Sequence, residues 1–287
     1  MDAAQLSDAD PLVLRDVAEQ LAAEAATFVR ARRSEVFGAA SGDANSGAVS
    51  AKSTPTDPVT VVDTETERLL RERLAERRPG EHILGEEEGG AADAGAGQVT
   101  WVLDPIDGTV NFVYGVEAYA VSIAVQRDGA SVAGAVADVA HDAVYSAALG
   151  HGARLRRDGA VRPLRCNTPD RLAMALVGTG FAYDPERRRR QAQQLVAVLP
   201  RVRDVRRIGS CALDLCMVAA GQLDAYYEDG VNVWDWGAGA LVAAEAGAVM
   251  SLPPTAGAVG GAGLVVAAAP GIADELDALL RSAGVRS

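Results

Sequence analysis

Between Val99 and Thr109 a short run of apolar, β-prone residues, Val99 to Leu103, stops at a carboxylate. The chain then reads Asp104-Pro105-Ile106-Asp107-Gly108-Thr109. No other stretch restricts the fold as much. A run of this length and composition is a buried strand, so Asp104 is delivered to its C-terminal end, at the rim of a core. Pro105 stiffens the turn and has no amide hydrogen to place. Two carboxylates three residues apart on a tight loop can converge on one or two hard cations, and the carbonyl of Ile106 between them is a further oxygen ligand. Gly108-Thr109 then opens a short helix or turn whose free amides face an anion. Taken alone, the segment reads equally well as two acidic residues capping a turn.

Asp10-Pro11 is an N-cap followed by proline at the first helical position. Leu14, Val17, Ala18, Leu21, Ala25, Phe28 and Val29 follow at helical spacing. Ser41 to Ser50 is small and polar and is expected to be a mobile loop. Thr60-Val61-Val62-Asp63 has the capping-box pattern and predicts a helix to about Leu74, stopped by Pro79-Gly80. Ile83-Leu84 is a short strand leading into Gly85-Glu86-Glu87-Glu88, and Gly89 to Gln98 is expected to be a surface loop. Ala118 to Gln126 and Ala130 to Val139 flank the turn Arg127-Asp128-Gly129 and read as a hairpin. Val144 to Ala148 adds a strand, and Asp158-Gly159 marks a turn. Beyond about residue 165 strands and helices alternate: strands at 173–177, 225–228 and 264–268, helices at 186–199, 210–220, 236–246 and 272–283. The expectation is an α+β N-terminal part, residues 1–160, and an α/β C-terminal part, residues 161–287.

Composition removes several functional classes. The 287 residues carry a formal net charge of −12, which argues against sequence-independent binding of nucleic acid. Acidity does not forbid a phosphate substrate, because divalent cations can sit between carboxylates and phosphate. Cys166, Cys211 and Cys216 show no CxxC spacing and are read as free thiols in a reducing cytosol. His82, His141 and His151 are scattered, which argues against a His-rich zinc site. No apolar stretch approaches the length of a membrane span, and the N-terminus lacks the pattern of a signal peptide. The expected location is the cytoplasm.

Acidic residues cluster where strands end or helices begin: Asp57 with Asp63, Glu86, Asp104 with Asp107, and Asp235. The segment Asp104-Pro105-Ile106-Asp107-Gly108-Thr109 after a Trp-containing strand resembles the signature of the inositol monophosphatase family. Other pieces occur in matching order. Lys52 to Asp63 is similar to the family's first acidic motif, and Gly85-Glu86-Glu87 to its Gly-Glu-Glu motif. Gly209-Ser210-Cys211-Ala212-Leu213-Asp214 is similar to its substrate-side segment. Asp224 to Glu228, Trp234-Asp235 and Ala244-Glu245-Ala246-Gly247 are similar to its C-terminal signature. The resemblance runs from about residue 10 to residue 283. It implies a layered αβαβα sandwich of the inositol monophosphatase and fructose-1,6-bisphosphatase type.

The resemblance also implies roles. Glu86, Asp104, the carbonyl of Ile106, Asp107 and Asp235 become ligands of two or three Mg²⁺ ions, with Asp104 bridging two of them. The attacking water is activated by metal and oriented by Thr109 and Glu86, with Asp63 acting through Thr109. Asp63 also reads simply as the capping-box carboxylate. Gly108 and Thr109 amides hold phosphate. Arg206, Ser210, Cys211, Glu228 and Asp235 join Ile106 and Asp107 on the substrate side, Glu228 facing polyol hydroxyls. Lys52 matches a lysine near the site, and it reads as well as an ordinary surface lysine. Trp234 and Trp236 read as packing. Cys211 stands where alanine is usual, and Trp236, Glu117 and Asn232 also depart from the pattern, without removing a ligand. The implied function is Mg²⁺-dependent hydrolysis of a small phosphorylated polyol, inositol 1-phosphate, by a lithium-sensitive homodimer. Histidinol phosphate, fructose 1,6-bisphosphate and a 3′-phosphonucleotide are alternative substrates. A regulatory protein-binding role in transcription is the alternative of another class. Arg187 to Arg190 and the arginines at 201, 203, 206 and 207 read as solvated or interface charge.

Overall fold

Asp10 begins the first helix as its sequence predicts: its Oδ1 accepts the Leu12 amide at 2.8 Å, with Pro11 in the first turn. This is α1 (Pro11–Phe37) of a computed structural model that describes residues 9–38, 47–52, 56–90, 95–254 and 263–286. A short antiparallel pair follows, β1 (Val49–Ala51) with β2 (Pro58–Thr60). Part of the expected 41–50 loop is therefore strand; residues 41–46 lie outside the described residues. The capping box of Thr60 and Asp63 starts α2 (Val61–Arg77).

A seven-stranded sheet comes next in the chain. It comprises β3 (His82–Gly85), β4 (Val99–Asp107), then α3 (Thr109–Tyr114) as a one-turn interruption, β5 (Ala120–Arg127), β6 (Ala130–Asp138), β7 (Ala143–Ala148), β8 (Ala153–Arg157) and β9 (Ala160–Pro163). The strands lie in sequence order. Only β3 and β4 run parallel; the other pairs are antiparallel. The expected loop at 89–98 is shorter than the sequence suggests: Gly89 pairs with Gly85, and residues 91–94 lie outside the described residues.

The second sheet has five strands in the order β11, β10, β12, β14, β13: β10 (Leu176–Thr179), then after α4 (Pro185–Val198), β11 (Asp204–Arg206), then after α5 (Cys211–Ala219), β12 (Ala225–Asp229), then after α6 (Val233–Glu245), β13 (Val249–Ser251) and β14 (Leu264–Ala268), closed by α7 (Ala273–Ser282). The strand expected at 173–177 begins later. Leu172–Met174 is a 3-10 turn, closed by Met174 N–H to Arg171 O at 3.0 Å and Ala175 N–H to Leu172 O at 2.9 Å. Two edge strands, β11 and β13, are three residues each and too short to show a pattern in sequence.

The buried side chains separate five layers. Leu14, Leu21 and Val29 of α1 and Leu70 and Leu74 of α2 pack on one face of the large sheet against Trp101, Leu103, Val121 and Ile123. The opposite face, with Val102, Ala124 and Val136, packs on α5 and α6, which in turn cover Tyr226, Val265 and Ala267 of the small sheet. The outer face of that sheet packs on α7 through Leu276, Leu279 and Leu280. The expected αβαβα sandwich is the architecture observed. Because α6 must approach the large sheet closely, small residues line the contact. A Cβ at Gly134 would lie 3.1 Å from the Ala238 Cα.

Candidate metal and phosphate site

The strand bearing the two carboxylates does not end at Asp104; β4 continues to Asp107. Residues three apart on a regular strand point to opposite faces. Here Asp104 pairs with Ser122 but Asp107 with Ala120, so β4 spends one residue more than β5 across this interval. That bulge at Pro105-Ile106 reverses the alternation. Ile106 then packs with the α1–α2 core, while Asp104 and Asp107 both face the cleft. Gly108, which follows, has φ of 97° and no room for a side chain: a Cβ would lie 2.9 Å from Ala118 O and 3.0 Å from Gly209 O.

Three helix N-termini supply the neighbouring groups. Asp63 is in the first turn of α2. Its Oδ2 accepts the Thr60 amide at 2.9 Å and the Thr60 hydroxyl at 2.5 Å, leaving Oδ1 for the Thr109 hydroxyl at 3.1 Å. Burial lifts Asp63 to about 6, against those Thr60 bonds. At α5, Ser210 Oγ and the Ala212 amide both donate to Asp107 Oδ2 at 2.6 Å. Burial outweighs both bonds and lifts Asp107 to about 7. At α6, Asp235 Oδ2 accepts the Asn232 amide at 2.5 Å. Burial and then the Glu86 and Asp107 charges push Asp235 well up.

Glu86 reaches the same cleft from the end of β3, its amide donating to Leu103 O at 3.1 Å. Lys52 Nζ lies 2.8 Å from Glu86 Oε1 and 2.5 Å from Glu87 Oε1. Lys52 is thus part of the site, and Glu87 is drawn into it through the lysine. Burial opposes the Lys52 charge, but the two carboxylates overcome it and hold the ammonium above its ordinary value.

The cleft has a volume of about 510 Å³. On its far wall Glu228, at the end of β12, accepts the Tyr226 hydroxyl at 2.6 Å, and burial raises its carboxyl. Gly180 is the space this carboxylate occupies, since a Cβ there would sit 1.9 Å from Glu228 Oε2. Cys211 lines the cleft with its thiol pushed well up by burial, so it acts as a small apolar wall. Arg206 is a correction. Its guanidinium turns to Asp204 at 2.6 Å on the exposed edge strand β11 and does not line the cleft; Arg207 does. Arg206 and Asp204 share a strand face at i and i+2, so the next residue points the other way. Sequence reasoning also missed Phe181, Tyr183 and Arg187, which line the outer cleft. The only local signal there is the Asp184-Pro185 helix start.

The donor set fits hard divalent cations. Asp104, Asp107 and Asp235 each offer an oxygen within 4.8 Å of the others. Asp104 Oδ1 accepts the Ile106 amide at 3.0 Å, but its Oδ2 is buried without a hydrogen-bond partner. Burial and the Glu86, Asp107 and Asp235 charges push Asp104 well up. A buried, unpaired carboxylate oxygen facing like charges is costly unless a cation joins it. All the donors are oxygens, as Mg²⁺ requires.

Comparison with known proteins agrees with this geometry. The sequence matches the inositol monophosphatase family over residues 10–284. It is 68% identical over 277 residues to the inositol-1-monophosphatase of Mycobacterium leprae (strain TN), covering 96% of this chain and 95% of that protein. Among solved structures, Mycobacterium tuberculosis SuhB superposes with a TM-score of 0.81 at 59% identity, covering 96% of this chain and 98% of that one. The inositol monophosphate-bound SaIMPase-II superposes with a TM-score of 0.69 at 26% identity, covering 95% and 98%. With the family model matched over nearly the whole chain, a relative of high identity along its length and the same fold in solved structures, the chain belongs to the inositol monophosphatase family and is a phosphatase of that kind.

Proposed function

We propose that the chain hydrolyses inositol 1-phosphate to myo-inositol and phosphate, with Mg²⁺ held by Glu86, Asp104, the Ile106 carbonyl, Asp107 and Asp235. The observation that carries this reading is the meeting of those five residues, from three separate segments, around the unpartnered Asp104 oxygen and opposite Glu228. When bound, the cations supply Lewis-acid polarisation of the phosphoryl oxygens and activation of the attacking water.

The chain's own residues do the rest. The Thr109 hydroxyl has one proton and two acceptors in reach, Asp63 Oδ1 at 3.1 Å and Ile106 O at 3.0 Å. Donating it to Asp63 turns a lone pair of Thr109 toward the cleft, where it accepts a proton of the attacking water. Glu86 accepts the other. The Gly108 and Thr109 amides bind phosphoryl oxygens. Ser210 and Ala212 fix Asp107 by occupying its second oxygen. Glu228, already bonded through Oε2, keeps Oε1 as an acceptor for a ring hydroxyl. Arg207 adds positive charge at the mouth, which favours entry of an anionic substrate. We also assign the protein to the cytoplasm as a lithium-sensitive homodimer. This assignment rests on the family resemblance; among the described residues no helix is long and apolar enough to cross a membrane.

Phosphate release from a panel containing inositol 1-phosphate, histidinol phosphate, fructose 1,6-bisphosphate and a 3′-phosphonucleotide, with and without Mg²⁺, tests the reading. The expected result is Mg²⁺-dependent release, greatest from inositol 1-phosphate, and lost in Asp107→Asn and Asp235→Asn. Full activity in both variants overturns the site assignment; preference for another substrate overturns the assignment of Glu228.

A further inference from the structure

We propose that Glu67 and Arg71, one turn apart on α2, form a positioning device that aims Glu86 and so sets the affinity of the cleft for divalent cations. The inference rests on the assignment of Glu86 as a ligand.

Glu86 belongs to a five-residue loop, Gly85 to Gly89. Its neck is closed by Gly85 N–H to Gly89 O at 3.0 Å and Gly89 N–H to Gly85 O at 3.1 Å. The amides of Glu87 and Glu88, which follow Glu86 in the loop, both donate to the Glu67 carboxylate, at 2.8 Å to Oε2 and 3.0 Å to Oε1. Arg71 then ties the carboxylate to the neck: Nε donates to Glu67 Oε1 at 2.9 Å and Nη2 to Gly89 O at 2.6 Å. The pair therefore grips the loop at its tip and its base from one rigid helix.

Glu67 is fully buried, at 0% exposure. Burying an ion pair is a weak route to stability, so its place directly beneath a ligand loop is better accounted for by orientation. A carboxylate is acceptor-only with two oxygens, which matches two successive N–H donors. Glutamine would turn an NH₂ toward one of them. Gly85 completes the device: a Cβ there would lie 2.0 Å from Glu67 Oε1, so the glycine is the space through which the carboxylate reaches the loop. With both amides fixed, the peptide planes after Glu86 are fixed, and the ligand leaves the backbone in one direction.

The test is direct Mn²⁺ binding, read by electron paramagnetic resonance of the free ion, on folded variants checked by circular dichroism. Glu67→Gln is expected to weaken Mn²⁺ binding about tenfold, at the lower end of what lost supporting partners of metal ligands cost. The half-saturating Mg²⁺ concentration moves by the same factor, while kcat at saturating metal stays within about threefold. Arg71→Lys keeps a charge but loses the planar fork and weakens binding about threefold. Glu19→Gln is the control. Glu19 is also buried and bonded to Arg154 and Arg156, far along α1, and its loss costs stability without moving metal affinity. Unchanged Mn²⁺ binding in Glu86→Gln would sink the ligand assignment itself. Weakened binding in Glu86→Gln with wild-type affinity in folded Glu67→Gln, or in Arg71→Lys where Glu67→Gln does not fold, sinks the positioning role alone. An equal shift in Glu19→Gln does the same.

Discussion

Replacing Asp104 by asparagine should stabilise the metal-free protein while removing its response to metal. Asp104, Asp107 and Asp235 offer oxygens within 4.8 Å of one another. Two full charges at that separation repel by about 3.5 kcal/mol at an effective dielectric of about 20. Asp104 takes part in two of the three contacts, so the repulsion it feels from Asp107 and Asp235, were all three ionised, is on the order of 7 kcal/mol. A metal-free cluster lowers its own repulsion by holding protons, and the realised gain is about 1–3 kcal/mol. The amide oxygen of asparagine can still accept the Ile106 amide, as Asp104 Oδ1 does at 3.0 Å, so the local turn survives. For a chain of this size the gain raises Tm by about 2–6 °C. Wild type, by contrast, gains about 2.7 kcal/mol per site at a hundredfold excess of metal over Kd. The variant should keep less than about a third of that gain, since the buried oxygen that calls for a cation is gone. The assay is calorimetric or circular-dichroism melting with chelator and with excess MgCl₂. A metal-free Asp104→Asn protein that melts below wild type, and still rises by the wild-type increment in Mg²⁺, refutes the clustered-charge reasoning.

Glu228→Gln keeps an oxygen for the Tyr226 hydroxyl but weakens the acceptor facing the substrate, so KM for inositol 1-phosphate should rise about tenfold with a smaller change in kcat; steady-state kinetics that show only a kcat loss would contradict a binding role. Glu19 supplies a pH-dependent prediction. Burial pushes its carboxyl up, but hydrogen bonds from Arg154 and Ser146 and the Arg154 and Arg156 charges overcome this and hold it below the ordinary value of 4.5. A depressed carboxyl contributes stability that is present above the unfolded value and lost as pH falls through the folded one. Glu19→Gln should therefore be less stable than wild type at neutral pH, with the gap closing below about pH 4. Urea unfolding across pH checks this, and a gap of constant size down to low pH counts against it.

Much of this fold can be read without coordinates, because local chemistry and global packing agree at most element boundaries. Asp10-Pro11, the Thr60–Asp63 box and the Arg127-Asp128-Gly129 turn each fix an element end by a local interaction, and the structure ends those elements there. The residues proposed as metal ligands are legible for the same reason: each lies beside a strong boundary signal. What escaped depends on contacts between distant segments. Pro105 reads as a strand terminator, yet the strand passes through it by bulging, and only the partner strand β5 reveals the extra residue. Arg206 and Arg207 are indistinguishable in sequence, and the alternation of a three-residue edge strand decides which faces the cleft. Glu67 looks like one more polar residue of an amphipathic helix; its burial depends on the loop after β3 folding back over it.

Helix capping and the proposed metal chemistry share side chains in this protein, and their effects can be separated. Asp63 and Asp235 each give one oxygen to the amide of the residue three before, at the start of α2 and α6, and Asp107 gives one to the start of α5. For Asp107 and Asp235 the second oxygen is left for the cleft; for Asp63 it accepts the Thr109 hydroxyl at 3.1 Å. The tied oxygen fixes the rotamer, so the free one needs no further support, and the positive end of the helix dipole offsets part of the cost of a buried carboxylate. A change at Asp235 that keeps the tied oxygen should therefore keep the fold and lose only the chemistry. Asp235→Asn can leave its amide oxygen on the Asn232 amide and turn NH₂ toward the cleft, where it repels a cation. Asp235→Ala loses both functions and should cost about 1 kcal/mol more in metal-free stability, the usual worth of such an N-terminal contact. Both variants should lack phosphatase activity. Chemical unfolding in chelator separates them: equal stabilities for the two variants would mean that the Asn232 contact carries no weight in holding the ligand.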